Sequence, residues 1–174
     1  MIDRRLFLFG APALLAACST GGAITDSNGQ SVYRIRNSQT GDIQFRMLDG
    51  VNALRGAQGA PALALNSELN AAAATHSRDM ALQNRPWHFG SDGSSPIDRV
   101  RRVGYSGTLI GETISETFET ELETLGAWMQ NSDTRGIILD PRARDMGFSW
   151  FQENNGKIWW TMVLGSPAAT LATA

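Results

Sequence analysis

The chain has 174 residues, about one domain, and is 42% apolar and 18% charged, so it can bury an ordinary core and is neither disordered nor collagen-like. Its 15 basic and 17 acidic residues give a net charge of −2, the wrong sign for a nucleic-acid binder, and Lys157 is the one Lys among the cations. A single Cys excludes an intrachain disulfide and a four-thiolate zinc site.

Residues 1–18 read MIDRRLFLFGAPALLAAC. Arg4 and Arg5 form a positive start, and residues 6–17 are an apolar run. That run is shorter than the ~20 helical residues needed to cross ~30 Å of hydrocarbon. Residues 1–17 therefore read as a signal peptide. Leu15-Ala16-Ala17-Cys18 resembles the lipobox of bacterial lipoprotein signals, in which the Cys is lipidated and becomes the mature N-terminus. Asp3-Arg4-Arg5-Leu6-Phe7-Leu8 also resembles a twin-arginine export signal, and the export route stays open. The expectation is an exported protein, membrane-tethered by lipid on Cys18 and facing the periplasm. Ser19 favours outer-membrane sorting if the host is Gram-negative. With Cys18 acylated, no free thiol remains for cysteine-protease or thiol-redox chemistry.

Residues 18–41 divide into the lipidated Cys, a Ser/Thr/Gly/Asn-rich spacer to residue 30, an alternating strand-like stretch over 31–36 and a turn over 37–41. A helix is predicted over 42–58, capped by Asp42, with Ile43, Met47, Val51 and Leu54 inward. A second starts at Asn66 or Ser67 and reaches Gln83, burying Leu69, Ala72, Ala73, His76 and Met80. A short third helix takes Ser94 or Ser95 as cap and Pro96 at its first position, and stops at Gly104. A strand is expected within 105–114 and a fourth helix over 117–132, with Leu122, Leu125 and Trp128 or Met129 inward. Glu116, Glu119 and Glu121 near its start read as a solvated face compensating the helix dipole. Two strands, 145–151 and 157–164, are joined by Glu153-Asn154-Asn155-Gly156, whose Asn-Gly is a strong hairpin signal. Helices followed by an antiparallel hairpin indicate an α+β fold, and no nucleotide-binding glycine motif is present.

Chemistry rests on few residues. His76 lies on the apolar stripe of its helix and reads as a buried histidine bonded to backbone or a polar neighbour. His88 sits in Trp87-His88-Phe89-Gly90, in a glycine-rich segment where site residues concentrate. Glu112 stands in an apolar stretch, so it is either exposed at an edge or paired. Spacing alone does not bring His88 and Glu112 together. Ser91 and Ser94 are the candidate nucleophiles of a metal-free hydrolase, yet they are explained more simply as turn and cap residues.

Three stretches in order carry a family resemblance. They are Asn52-Ala53-Leu54-Arg55 with Gly59, Pro61 and Leu63; His76-Ser77-Arg78-Asp79-Met80 with His88-Phe89-Gly90-Ser91-Asp92 and Asp98-Arg99; and Gly111-Glu112 with Trp128, Gly147 and Trp160-Thr161. Together they resemble the CAP superfamily (cysteine-rich secretory proteins, antigen 5, pathogenesis-related 1), in its bacterial SCP-like branch. The resemblance implies a CAP domain over 42–166, followed by a tail over 167–174. It implies a three-layer α-β-α sandwich with a central antiparallel sheet. Many members have a cleft with two His and two acids, which binds a divalent cation in some. Carried over, the first His falls on His88 and the first acid on Glu112. The second acid falls on Asn131, and the second His on Thr134 or, by the eukaryotic pattern, on Trp159. Asp92 is a further candidate ligand. One imidazole and one carboxylate are too few for a durable zinc site. The expectation is therefore no metal cofactor, with at most weak divalent-cation binding at His88 and Glu112. Trp87, Phe89, Tyr105 and Trp159 are candidate cleft aromatics. The expected function is non-enzymatic binding of a lipid-like ligand or envelope partner, with a hydrolase of peptide, ester or cell-wall substrates as the alternative.

Overall fold

The computed structural model describes residues 24–25 and 31–168. The expected signal peptide and Cys18 lie outside the described residues. Elements run β1 (Ile24–Thr25), β2 (Ser31–Val32), α1 (Thr40–Ala57), β3 (Ala64–Leu65), α2 (Ser67–Gln83), α3 (Pro96–Arg102), β4 (Thr108–Glu116), α4 (Glu121–Gln130), α5 (Ser132–Ile138), β5 (Asp145–Gln152) and β6 (Ile158–Ser166). The main sheet has the order β3-β5-β6-β4. It is antiparallel except for β3, a two-residue edge pairing parallel with β5. β1 and β2 form a separate antiparallel ladder. The strand expected over 31–36 is confined to Ser31–Val32.

Strand alternation divides the side chains between two helical layers. On one face Met146, Phe148, Trp160, Met162 and Leu164 pack against α1, α4 and α5, which contribute Ile43, Met47, Val51, Leu125, Trp128 and Ile138. Phe148 stacks on Trp160 with centroids 5.5 Å apart, and Trp128 meets Phe148 edge-on. On the other face Val163 meets Leu69, Ala72 and Ala73 of α2 and Val100 of α3. Each large side chain buried here contributes roughly 1.5–3 kcal/mol. The alanines of α2 and Gly147 let helix and sheet approach closely: a Cβ on Gly147 would lie 2.1 Å from the Leu69 carbonyl carbon. α1 is clipped in place by Arg55, fully buried, which donates to the carbonyls of Pro61, Ile138, Asp140 and Ala143.

Four expectations need correction. α1 begins at Thr40 after Gln39, so Asp42 lies in its first turn and does not cap it. The fourth helix is two: Asn131 adopts an extended conformation (φ −87°, ψ 131°) after α4 and caps α5, its side chain accepting from Asp133 N. Leu122 is half exposed rather than inward, because α4 begins only at Glu121 and turns Leu125 and Trp128 to the core. Glu121 is buried, not solvated, and pairs with Arg46 of α1 at 2.6 Å.

Candidate functional site

α2 begins where Asn66 Oδ1 accepts from Leu69 N, and it carries His76 into the interior. The chain leaves α2 through Asn84 in a left-handed conformation (φ 48°). It then returns along the helix, so that His76 Nε2 donates to the Trp87 carbonyl at 3.0 Å. This return brings His88 over β4. α3 follows, started by the Ser95–Asp98 capping box with Pro96 at its first position, and its second turn aims Arg99 at the same strand. β4 supplies Glu112. Gly111 beside it admits Ile137 of α5 on the opposite face, where a Cβ would come within 2.7 Å.

These four residues form one cluster. Glu112, 5% exposed, accepts from His88 Nδ1 at 2.9 Å. Arg99 Nη2 donates to both carboxylate oxygens, at 2.9 and 2.8 Å, and Arg99 Nη1 donates to the Ser94 carbonyl at 3.1 Å. His76 Nε2 stands 3.6 Å from Glu112 Oε1. Burial pushes the Glu112 carboxyl up, but His88, His76 and Arg99 together outweigh it and hold the group below its ordinary range. Burial pulls His76 down, against the attraction of Glu112, so this ring is neutral at pH 7. Because His76 Nε2 donates to a carbonyl, its Nδ1 is the unprotonated nitrogen, and that atom is buried without a partner. His88 is the outward member, with 49% of its side chain exposed and its Nε2 outside the carboxylate bond.

The sequence-selected residues thus separate into two groups. His88 and Glu112 meet. Asp92, Asn131, Thr134 and Trp159 have no hydrogen bond or ion pair to either of them among the described residues. Asp92 is exposed, accepts from Ser94 N and pairs with Arg102 at 2.9 Å. Asn131 caps α5, and Thr134 Oγ1 donates to the Trp128 carbonyl at 2.5 Å. Trp159 is fully buried, its Nε1 donating to Glu153 Oε1 at 2.6 Å. Ser91 Oγ donates to Asp79 Oδ1 at 2.6 Å, and no hydroxyl hydrogen-bonds His88 among the described residues. Tyr105 is buried against Gly165 and donates to Asp145 at 2.7 Å; burial, with that bond, pushes its phenol well above the ordinary range. Trp87 and Phe89 do flank His88, with ring centroids 5.4 Å apart.

Sequence reasoning missed Arg99 as a site residue. The signal was present: Pro96 at a helix start after Ser95 places Arg99 near the second turn, and Glu112 needed a partner. It also took His76 correctly as buried and backbone-bonded while leaving it outside the site. His88 Nε2 faces outward with its lone pair open, whereas His76 Nδ1 and the second acceptor site of Glu112 Oε2 are sealed inside. Among the described residues no group of three or more His, Cys, Asp or Glu is disposed to hold a metal ion.

Comparison with known proteins agrees with the fold. Residues 48–164 match the CAP (cysteine-rich secretory protein) family. The chain is 29% identical over 120 residues to uncharacterized protein YkwD of Bacillus subtilis (strain 168), covering 69% of this chain and 46% of that protein. Its fold is similar to that of an outer surface protein from Borrelia burgdorferi (TM-score 0.67, 14% identity, 74% of this chain and 95% of that one). It is equally similar to an extracellular SCP-domain protein from Bacillus anthracis (TM-score 0.67, 20% identity, 76% and 44%). An ordered match across two-thirds of the sequence, on an α-β-α sandwich of the same kind, identifies the chain as a member of the CAP family of cysteine-rich secretory proteins.

Proposed function

We propose that this CAP domain is an exported, lipid-tethered binding module that captures a lipid-like ligand or an envelope partner at the His88 surface, without turning it over. The observation that carries the reading is the commitment of Glu112. Both its oxygens are engaged by Arg99, and one also accepts from His88. Oε1 is saturated by two bonds; Oε2 takes one and keeps a lone pair, but the carboxylate is 5% exposed and tied to a guanidinium, so a substrate or cation reaching it would have to displace Arg99. What is left facing outward is an oriented imidazole on a loop whose neighbouring Trp87 and Phe89 rings pack against each other, a surface suited to recognition through one hydrogen bond and apolar contact.

The same donor set does not fit a divalent cation. Arg99 stands where a cation would be repelled, His76 Nε2 is protonated toward Trp87, and Asp92, Asn131, Thr134 and Trp159 are occupied elsewhere. Export and the tether are supported by the signal-like start with its lipobox. Export is also supported by the names of the similar structures, one an outer surface protein and one an extracellular protein.

The hydrolase reading keeps one supporting feature: the Glu112–His88 Nδ1 bond fixes the tautomer in which Nε2 is basic. Among the described residues it finds no paired nucleophile: Ser91 donates to Asp79, and neither Ser91 nor Ser94 hydrogen-bonds His88.

Photo-crosslinking tests the proposal. A benzophenone amino acid at position 89, in the producing cell, should give a discrete adduct that disappears in His88→Ala; that variant also loses one bond to buried Glu112 and should melt about 3–10 °C lower while staying folded at growth temperature, as circular dichroism reports. The absence of any adduct dependent on His88, together with turnover of peptide or ester substrates by purified protein, would replace binding with hydrolysis.

A further inference from the structure

The described chain joins the CAP domain at one end of the sheet. Gln152 accepts from Ile35 N at 3.0 Å and donates to the Tyr33 carbonyl at 2.8 Å. Arg34 donates to the carbonyls of Glu153, at 2.6 Å, and Asn154. Residues 33–35 are thereby fastened to the turn between β5 and β6. The last turn of α2 lies at this same end, since Lys157 Nζ donates to Asn84 Oδ1 at 3.3 Å. Between them runs a groove of about 500 Å³, walled by Leu82 and Phe151 and by the 152–155 turn. Gln83 ties in the His88 loop, accepting from Trp87 Nε1 at 2.9 Å and donating to the Phe89 carbonyl at 3.2 Å.

This end is apolar and cationic where it meets solvent. Leu82 is 78% exposed, Phe89 47% and Tyr33 37%. Arg85 lies over the Trp87 ring at 3.8 Å and Arg78 over Phe151 at 4.9 Å, and neither has an ion-pair partner among the described residues. Lys157 is paired with Glu116, so Arg78 and Arg85 are the cations this end offers to a partner. Aromatic rings and arginines that cover apolar surface while keeping their charge in water are the usual composition of a membrane-interface contact.

We infer that this end is a bilayer-docking face, in which Leu82, Phe89 and Trp87 seat against an anionic phospholipid surface with Arg78 and Arg85 among the headgroups. The inference rests on the proposed tether at Cys18. Residues 19–32 lie between that Cys and Tyr33 and span at most about 50 Å. The tether is attached at this end, through residues 33–35, and not at the opposite one, where Asp145 and Tyr105 meet. A short tether raises the local lipid concentration, so even a weak face stays docked. Docking would hold the His88 loop beside the membrane, which makes a membrane-resident ligand the natural occupant of the proposed site.

Hydrogen exchange on the full-length protein tests this, with vesicles of phosphatidylethanolamine and phosphatidylglycerol against vesicles of phosphatidylcholine. The backbone of residues 84–91 should exchange at least about threefold more slowly on the anionic vesicles only, while residues 138–144 stay unchanged. The double variant Leu82→Asp with Phe89→Asp, at two exposed positions, should abolish the difference. Equal exchange of 84–91 on both vesicle types overturns the face, as does protection that survives the double variant. Protection that grows with protein concentration without lipid also overturns it, by assigning the surface to a second copy. The mass of the Cys18 peptide reports the tether separately. An unmodified Cys18 with vesicle-dependent protection refutes the tether and leaves the face standing, whereas an acylated Cys18 without protection does the reverse.

Discussion

Replacing Arg99 by Met removes the guanidinium from Glu112 while keeping most of the apolar stem that packs in α3. Glu112 is 5% exposed and Arg99 4%, so solvent cannot take over the lost bonds. Deleting one partner of a buried ion pair costs about 3–5 kcal/mol, because the surviving charge is left uncompensated. For a domain of this size each kcal/mol is worth roughly 3–5 °C, so the melting temperature should fall by about 10–20 °C. The loss should depend on pH in a defined direction. Removing Arg99 raises the folded-state pKa of Glu112 relative to wild type, so the wild-type advantage is largest where the carboxylate is ionised and shrinks as pH falls. The gap between wild type and variant, followed by circular dichroism melts, should therefore widen from pH 5 to pH 8. Adding Glu112→Gln should recover more than half of the loss at pH 8, since the orphaned charge is then gone. A single variant melting within about 3 °C of wild type, with no pH trend in the gap, would refute the idea that Glu112 is committed to Arg99.

Other consequences follow from the same contacts. Burial lowers the folded-state pKa of His76 below 6.5, so the unfolded chain binds the extra proton first; wild-type stability should be full above pH 6.5 and fall as pH drops, and His76→Gln should flatten that decline in urea melts at pH 7, 6 and 5. Glu112, held below 4.5, extends the loss further into acid. Arg55→Lys keeps the charge but cannot reach four carbonyls at once, and urea unfolding should show a loss of about 2–4 kcal/mol. Gly147→Ala forces a methyl against the α2 backbone, which cannot retreat as a side-chain tip can, and should cost at least about 3 kcal/mol or prevent folding altogether.

Much of this architecture is legible in the sequence where local chemistry decides it. Asn66 announces the start of α2, Ser95-Pro96 the start of α3, and Asn155-Gly156 the turn, with Gly156 at φ 97°. Periodicity marks the buried faces of α1 and α2, including the unusual placement of His76. The features that escape are decided by tertiary contacts. Whether Glu121 is solvated or paired depends on Arg46, 75 residues away in sequence. The break at Asn131 interrupts an otherwise continuous helical pattern and is visible only through the cap it makes on α5. β3 is two residues long and exists because β5 offers it an edge. The meeting of His88 with Glu112 needed the family resemblance. The Arg99 bond that changes its chemistry escapes because α3 announces where it starts, not which strand its second turn faces.

The site's character is most directly tested by nitrogen-15 spectra of the two imidazoles during a zinc titration at pH 7. Protons on Nδ1 of His88 and Nε2 of His76, with no saturable change at one equivalent of zinc, are the predicted result. A stoichiometric shift of the His88 resonances, surviving dialysis, would mean that a metal is held at His88 and that the binding account is wrong.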